Sequence, residues 1–347
     1  MILFRADGNP KIGTGHIMRC LSIADAFAEN GVKAVFAVAD DSMKRLIEER
    51  GYAVQVLDTC YRNMIEDMDK TIALIHELDA RAVIVDSYFV TAVYLIQLKA
   101  HARLVYIDDL LKFAYPADIL VNYNIYAKRE CYERLYSDAG MEVPGLLLGT
   151  KYAPLRREYR SVPQVRINKK CTDILISTGG ADPVHLALEI IRHILVAPCE
   201  NDFAYHLIIG AMNTDKAEIE RLAKGRKNIV IHCNVRDMVS LICSCDIAVS
   251  AAGSTLYEIC ACGIPLIAYA LADNQLTGLK AFEENRLAIY CGDLREAADA
   301  PEKLLTEVYK LAEDQKCREE MSERMRLLVD ADGAKRIADF INCFGRD

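Results

Sequence analysis

Short apolar runs alternate along the chain with segments whose apolar residues recur every three to four positions. Strands are expected at Ile2–Arg5, Ala34–Ala39, Ala53–Leu57, Ala82–Asp86, Leu104–Asp108 and Ile119–Asn122. Helical periodicity lies between them, near Ile17–Asn30, Ser42–Arg50, Asp67–Leu78 and Thr91–Ala100. Runs such as Ala82-Val83-Ile84-Val85 lack polar alternation, which points to strands buried on both faces and hence to a parallel sheet. The polar stretch Arg160–Lys170 then interrupts the pattern. Alternation restarts with a strand at Thr172–Ser177, a helix after Asp182, and strands at Tyr205–Ile209, Ile229–Cys233, Ile247–Ser250, Pro265–Ala270 and Ala288–Cys291. The tail, Ala300–Phe344, is helical and charged, and no fixed-period repeat is visible. The pattern predicts an α/β protein of two doubly wound Rossmann-like domains facing a central cleft. Their expected spans are residues 1–160 and 172–347, joined by a linker at 161–171, with the terminal helix a candidate to pack back on the first domain.

A length of 347 residues allows two separate cores. Hydrophobic content of 52% and charged content of 27% fit a globular protein, and a net charge of −8 argues against a nucleic-acid partner. No signal-peptide pattern opens the chain, and no apolar stretch approaches the ~18 residues of a membrane span. A cytoplasmic location without membrane insertion is therefore expected, and the thirteen cysteines read as reduced thiols. The pairs Cys243-Ser244-Cys245 and Cys260-Ala261-Cys262 lack the two-residue spacer of most zinc knuckles. They sit in apolar segments and read as small buried hydrophobes, so neither metal nor cofactor is expected.

Candidate chemistry gathers at strand ends. Ile12-Gly13-Thr14-Gly15-His16 follows the first strand and opens the first helix. A histidine at a helix N-terminus sits where the macrodipole disfavours imidazolium, so a neutral His16 can serve as a general base. By itself such a loop is more often a tight structural turn. Ser250–Glu258 is a second strand-to-helix passage: Gly253 turns, Ser254 and Thr255 open a helix able to hold a diphosphate, and Glu258 one turn on can accept ribose hydroxyls. Capping alone could also explain Ser254 and Glu258, although they are separated by four residues rather than the capping-box three. Ser177-Thr178-Gly179-Gly180 offers hydroxyls and close backbone approach to a phosphate, with Asp182 expected as N-cap and Pro183 at the first helical position. Asp273-Asn274-Gln275, Asp86-Ser87-Tyr88 and Asp108-Asp109 also end strands, where a doubly wound sheet places its ligands and where surface turns are equally common.

Taken together, these motifs resemble a known group. The Gly-x-Gly-His loop with Ala252-Gly253-Ser254-Thr255-Leu256-Tyr257-Glu258 and Asp273-Asn274-Gln275 resembles the GT-B glycosyltransferase that makes lipid II in peptidoglycan synthesis. A fuller set of motifs is similar to the UDP-2,4-diacetamido-2,4,6-trideoxy-β-L-altropyranose hydrolase family of pseudaminic acid biosynthesis, with the spore coat polysaccharide biosynthesis proteins. That set comprises Phe4–Gly8, Ile12–Arg19, Asp86–Tyr88, Ile107–Asp109, Gly149–Arg156 and Ser177–Asp182. The resemblance implies hydrolysis of a small-molecule UDP-sugar at C1–O with inversion and without a metal. It implies His16 as the base that activates water and Tyr88 in the sugar pocket, with Gly15, Arg19, Asp109, Asn274 and Gln275 on the substrate. It implies UDP held by Thr178, Gly179, Gly180, Val235, Gly253, Ser254, Thr255 and Glu258, the backbone of Val235 meeting uracil. Arg5 or Arg19 is expected to add positive charge for the anionic substrate. A glycosyltransferase with a UDP-amino sugar donor is the alternative, a non-catalytic sugar-nucleotide binder a third reading, and the oligomeric state is open.

Overall fold

A computed structural model describes residues 1–163, 165–196 and 203–344. The chain divides into two compact units, Met1–Arg157 with Ala331–Asp347, and Glu158–Asp330.

The first unit runs β1 (Ile2–Ala6), α1 (Gly15–Glu29), β2 (Ala34–Val38), α2 (Lys44–Glu49), β3 (Ala53–Val56), α3 (Met68–Glu77), β4 (Ala82–Asp86), α4 (Ala92–Lys99), β5 (Arg103–Ile107), β6 (Ile119–Asn122), α5 (Arg129–Asp138) and β7 (Gly145–Leu148). All seven strands are parallel, in the order β3-β2-β1-β4-β5-β6-β7. β1 and β4 are buried at every position because both faces of the sheet are covered, which is why they read as unbroken apolar runs. The strand order reverses between β1 and β4, and the crevice outside their carboxyl ends is where such a sheet places ligands.

The second unit runs β8 (Asp173–Ser177), α6 (Leu186–Val196), β9 (Ala204–Ile209), α7 (Lys216–Ala223), β10 (Ile229–Cys233), α8 (Met238–Cys243), β11 (Ile247–Ala251), α9 (Thr255–Cys262), β12 (Leu266–Ala270), α10 (Asp273–Glu284), β13 (Ile289–Asp293), α11 (Ala300–Glu313) and α12 (Gln315–Leu328). Its six parallel strands lie in the order β10-β9-β8-β11-β12-β13, so the same reversal recurs between β8 and β11. Where composition suggested a linker over 161–171, residues 165–171 are bonded into this unit. Buried Arg318 of α12 donates to the carbonyls of Asn168 and Lys169, each at 3.0 Å, and Arg326 donates to that of Val165 at 2.7 Å.

The last helix, α13 (Gly333–Cys343), belongs to the first unit and packs against α1. Asn30 donates to Asp339 at 2.9 Å, and Gly333 approaches the backbone of Tyr152 and Ala153 too closely for any Cβ. Phe340 and Phe344 lie against Gly145 of β7, and the Arg103 guanidinium sits 5.4 Å from the Phe344 ring. They thereby cover part of an edge strand. Among the described residues no helix is long and apolar enough to cross a membrane.

Candidate active site

The loop after β1 is organised by its own backbone. Asn9 and Gly13 exchange two backbone hydrogen bonds at 3.2 and 2.8 Å, while the Asn9 side chain accepts from the N–H groups of Lys11 and Ile12. Gly13 takes a left-handed φ of 75°, open to glycine at no steric cost. A Cβ on Gly8 would stand 2.9 Å from Met43, so that position must also be small. The loop delivers His16 as the second residue of α1, and no side chain caps that helix. Apolar residues at 17, 20, 21, 24 and 27 are buried, so the helix is held by its inner face and His16 is fixed with it.

His16 meets the carboxyl end of β4. Its Nδ1–H donates to Asp86 Oδ1 at 2.6 Å, and its ring sits edge-on to Tyr88 with centroids 4.5 Å apart. Arg19, one turn further along α1, donates to both oxygens of Asp86, from Nε at 2.5 Å and Nη2 at 2.6 Å. Its Nη1 reaches the Tyr123 hydroxyl and Asp109 Oδ2, each at 2.8 Å. Tyr88 donates to the same Asp109 oxygen at 3.0 Å, and Asn124 donates to the other at 2.9 Å. Burial alone would raise the Asp86 carboxyl, but the charge of Arg19 and the hydrogen bond from His16 outweigh it and hold Asp86 below the ordinary carboxylate range. Burial, reinforced by Asp109, pushes the Tyr88 phenol well above its usual range, so it stays a neutral donor. With Asp86 on Nδ1, the lone pair of a neutral His16 is on Nε2. That is the arrangement of an oriented general base.

The first unit thus brings His16, Gly15, Arg19, Tyr88 and Asp109 to the carboxyl ends of β1, β4 and β5. Asp86 is the member that sequence reasoning placed at a strand end without a role. Its partner stands 70 residues away, and only the pairing of β1 with β4 joins them. Arg5, expected to help neutralise an anionic substrate, is instead wholly buried and bound to Asp7 at 2.7 Å and Asp67 at 2.6 Å. Paired with both carboxylates, its charge is already met inside the core.

In the second unit the nucleotide candidates share one edge of one sheet. Thr178, Gly179 and Gly180 follow β8, Val235 follows β10, Gly253 to Glu258 follow β11, and Asn274 and Gln275 open α10 after β12. Gly179 has a φ of 86°, and Asn234, just before Val235, is also left-handed at 50°. Ser254 makes no capping bond to α9, so its hydroxyl is not spent on the helix end. Glu258 lies half-buried in the first turn of that helix. Gln275 is partly committed, since its Oε1 accepts from the Leu271 N–H at 2.7 Å. The expected helix start at Pro183 is corrected: α6 begins at Leu186, and Asp182, at a φ of 49°, reaches forward to the N–H groups of Leu186 and Ala187. Burial raises the Asp182 carboxyl despite those bonds and the neighbouring Thr178 hydroxyl.

The two cysteine pairs meet through only one thiol of each, Cys243 and Cys262. Cys245 donates to the Leu241 carbonyl at 3.4 Å, Cys260 is fully buried, and Cys243 lies beside Cys262. Among the described residues no three His, Cys, Asp or Glu side chains are grouped to hold a metal ion.

Comparison with known proteins gives the same picture of the fold. The glycosyltransferase family 28 C-terminal domain matches residues 172–337. MurG of Acinetobacter baumannii superimposes with a TM-score of 0.66 at 14% identity, over 98% of this chain and 99% of that one. The protein is therefore a two-domain, GT-B-type Rossmann-like protein. Within that class it is a relative of the UDP-2,4-diacetamido-2,4,6-trideoxy-β-L-altropyranose hydrolase of Campylobacter jejuni, 27% identical over 74% of this chain and 86% of that one. It is also related to the spore coat polysaccharide biosynthesis protein SpsG of Bacillus subtilis, 23% identical over 55% of this chain and 54% of that one. Apart from the hydrolase, the chain spans about half the length of the curated relatives it matches, at 55%, 54% and 50%.

Proposed function

We propose that the protein hydrolyses a UDP-linked 2,4-diacetamido-2,4,6-trideoxy sugar at its anomeric C1–O bond, with inversion, releasing UDP and free sugar for pseudaminic (nonulosonic) acid biosynthesis. The observation that carries the reading is the His16–Asp86 pair, which leaves Nε2 as the accepting nitrogen of an oriented base. The relationship to the Campylobacter hydrolase supports it.

In this mechanism His16 Nε2 takes a proton from water as the water oxygen bonds to C1. The C1–O bond breaks on the opposite face, and its electron pair leaves with UDP. The diphosphate of the leaving UDP is assigned to the second unit by itself, to backbone N–H groups at Gly179–Gly180 and at the uncapped start of α9. Glu258 binds the ribose, Ser254 and Thr255 serve the diphosphate, and the backbone at Val235 reads uracil. Tyr88, neutral and bound to Asp109, faces the sugar beside the base. No cofactor takes part, and the enzyme acts on a small molecule in the cytoplasm.

The family 28 domain and the MurG-like fold support a second reading, in which an acceptor hydroxyl replaces water and the protein is a glycosyltransferase using a UDP-amino sugar. One experiment separates the two. The purified protein is incubated with the UDP-linked 2,4-diacetamido sugar in EDTA, and the anomeric signals are followed by proton NMR. Prompt release of free sugar with inverted C1 is expected. In His16→Ala, release should stop while UDP affinity by calorimetry stays within about twofold, because the base touches only water. Intact substrate with measurable UDP binding in the wild type would favour the transferase. Full activity in His16→Ala would remove His16 from the mechanism.

A further inference from the structure

The resemblance placed Arg19 on the substrate, but its donors are already committed. Nε and Nη2 hold the two oxygens of Asp86, and Nη1 holds Tyr123 and Asp109. Nη2 also lies 3.2 Å from His16 Nδ1 because both nitrogens donate to the same Asp86 oxygen. The Arg19 side chain is only 5% exposed. A planar fork of this kind fixes two carboxylates in a way a lysine point charge cannot.

We propose that Arg19 is a positioning residue: one buried guanidinium clamps Asp86 onto His16 and Asp109 onto Tyr88, so that a single side chain sets both the base and its neighbouring tyrosine. The inference rests on the reading of His16 as the base. The charged and titratable groups around this histidine are Asp86 at the end of β4, Tyr88 just beyond it, and Arg19 and Cys20 on α1. Asp109 after β5 and Tyr123 after β6 act through Arg19.

This arrangement gives Arg19 two separable effects. It orients Asp86, and its positive charge offsets the Asp86 carboxylate, which would otherwise favour the imidazolium form of His16. Arg19→Gln removes both effects and leaves Asp86 uncompensated, so the acid limb of the pH–rate profile should move to higher pH. Asp86→Asn removes the negative charge and should move the limb to lower pH. In Arg19→Lys the charge stays but the fork is lost, so the limb should stay near the wild-type position while the rate falls.

The test combines kinetics on the UDP-linked diacetamido sugar with nitrogen-15 NMR of the His16 ring in the full-length protein. The wild type should show the Nδ1–H tautomer, and Arg19→Gln should lose it or mix it with the other. Arg19→Gln should lower kcat by about 10²- to 10³-fold, with KM within about threefold, a loss on the scale expected when a base loses its orientation. A KM raised about tenfold or more, with kcat and tautomer unchanged, would put Arg19 on the substrate and overturn the proposal. If Arg19→Gln does not fold, Arg19→Lys and the wild type decide: a wild-type Nδ1–H tautomer that persists in Arg19→Lys with undiminished kcat refutes the clamp. If the wild type hydrolyses nothing, the proposed function falls, whereas the tautomer measurements still decide the clamp.

Discussion

Gly210 provides the sharpest test of how the second unit builds the loop proposed to hold the diphosphate. It directly follows β9, and a Cβ added there would stand 2.2 Å from the Gly180 carbonyl oxygen and 2.6 Å from its Cα. Carbon and oxygen in van der Waals contact stand about 3.2 Å apart, so Gly210→Ala must drive Gly180 back by roughly 1 Å. Overpacking of this kind costs about 1–3 kcal/mol. The same carbonyl accepts from the Met212 N–H at 3.2 Å, and loss of that bond adds about 1 kcal/mol. Gly210→Ala should therefore lose about 2–4 kcal/mol by urea unfolding. The donors offered by Gly179 and Gly180 would shift by a comparable ~1 Å, enough to break hydrogen bonds that tolerate only a few tenths. UDP affinity by calorimetry should fall by about tenfold or more. Gly253→Ala is the stability control, since no heavy atom lies within 4 Å of a Cβ there. An unfolding midpoint and UDP affinity both unchanged in Gly210→Ala would refute the idea that the backbone of residue 210 holds this loop.

Two further outcomes follow from the same geometry. Glu258→Ala should weaken UDP binding by about 10- to 100-fold, the scale of one or two hydrogen bonds to a charged acceptor, and unchanged affinity would place the ribose elsewhere. The Asp86 carboxyl is held below its ordinary range in the folded state by Arg19 and His16, against the effect of burial, so the unfolded chain takes up its proton first as pH falls. Its contribution to stability is complete above the ordinary carboxylate range and is lost progressively as pH falls through that range toward the depressed folded value. Between pH ~5 and ~2, urea unfolding of Asp86→Asn should depend less steeply on pH than that of the wild type, and equal slopes would mean that Asp86 is not paired in this way.

Much of the architecture was legible because burial on both faces leaves a simple mark. β1, β4, β11 and β12 are short apolar runs bounded by turn residues, and they fall within a residue or two of the expected strands. α5 and β7 were not anticipated. α5 reads as a run of charges whose buried residues are only Tyr132 and Tyr136, one turn apart, and too sparse for a visible stripe. β7 is a four-residue edge strand, partly covered by residues of α13 and its end that lie nearly 200 positions further along the chain. The site shows the same division. His16 stood out because its loop is local, built from glycines and Asn9 within a few residues. Its partnership with Asp86, and the clamp formed by Arg19 with Asp109, join elements from separate strand ends and have no local signature.

By itself, the sequence determined most of the segments that become strands and helices and that its chemistry-bearing loops fall at strand ends. Those properties follow from backbone sterics and from apolar spacing over a few residues. Only the tertiary structure decided that Arg5 is neutralised in the core and that Arg19 faces two carboxylates. The reason is that a charge's partner is set by strand order and burial. A buried ion must take whatever opposite charge the fold brings within hydrogen-bonding reach, and spacing along the chain does not encode that distance.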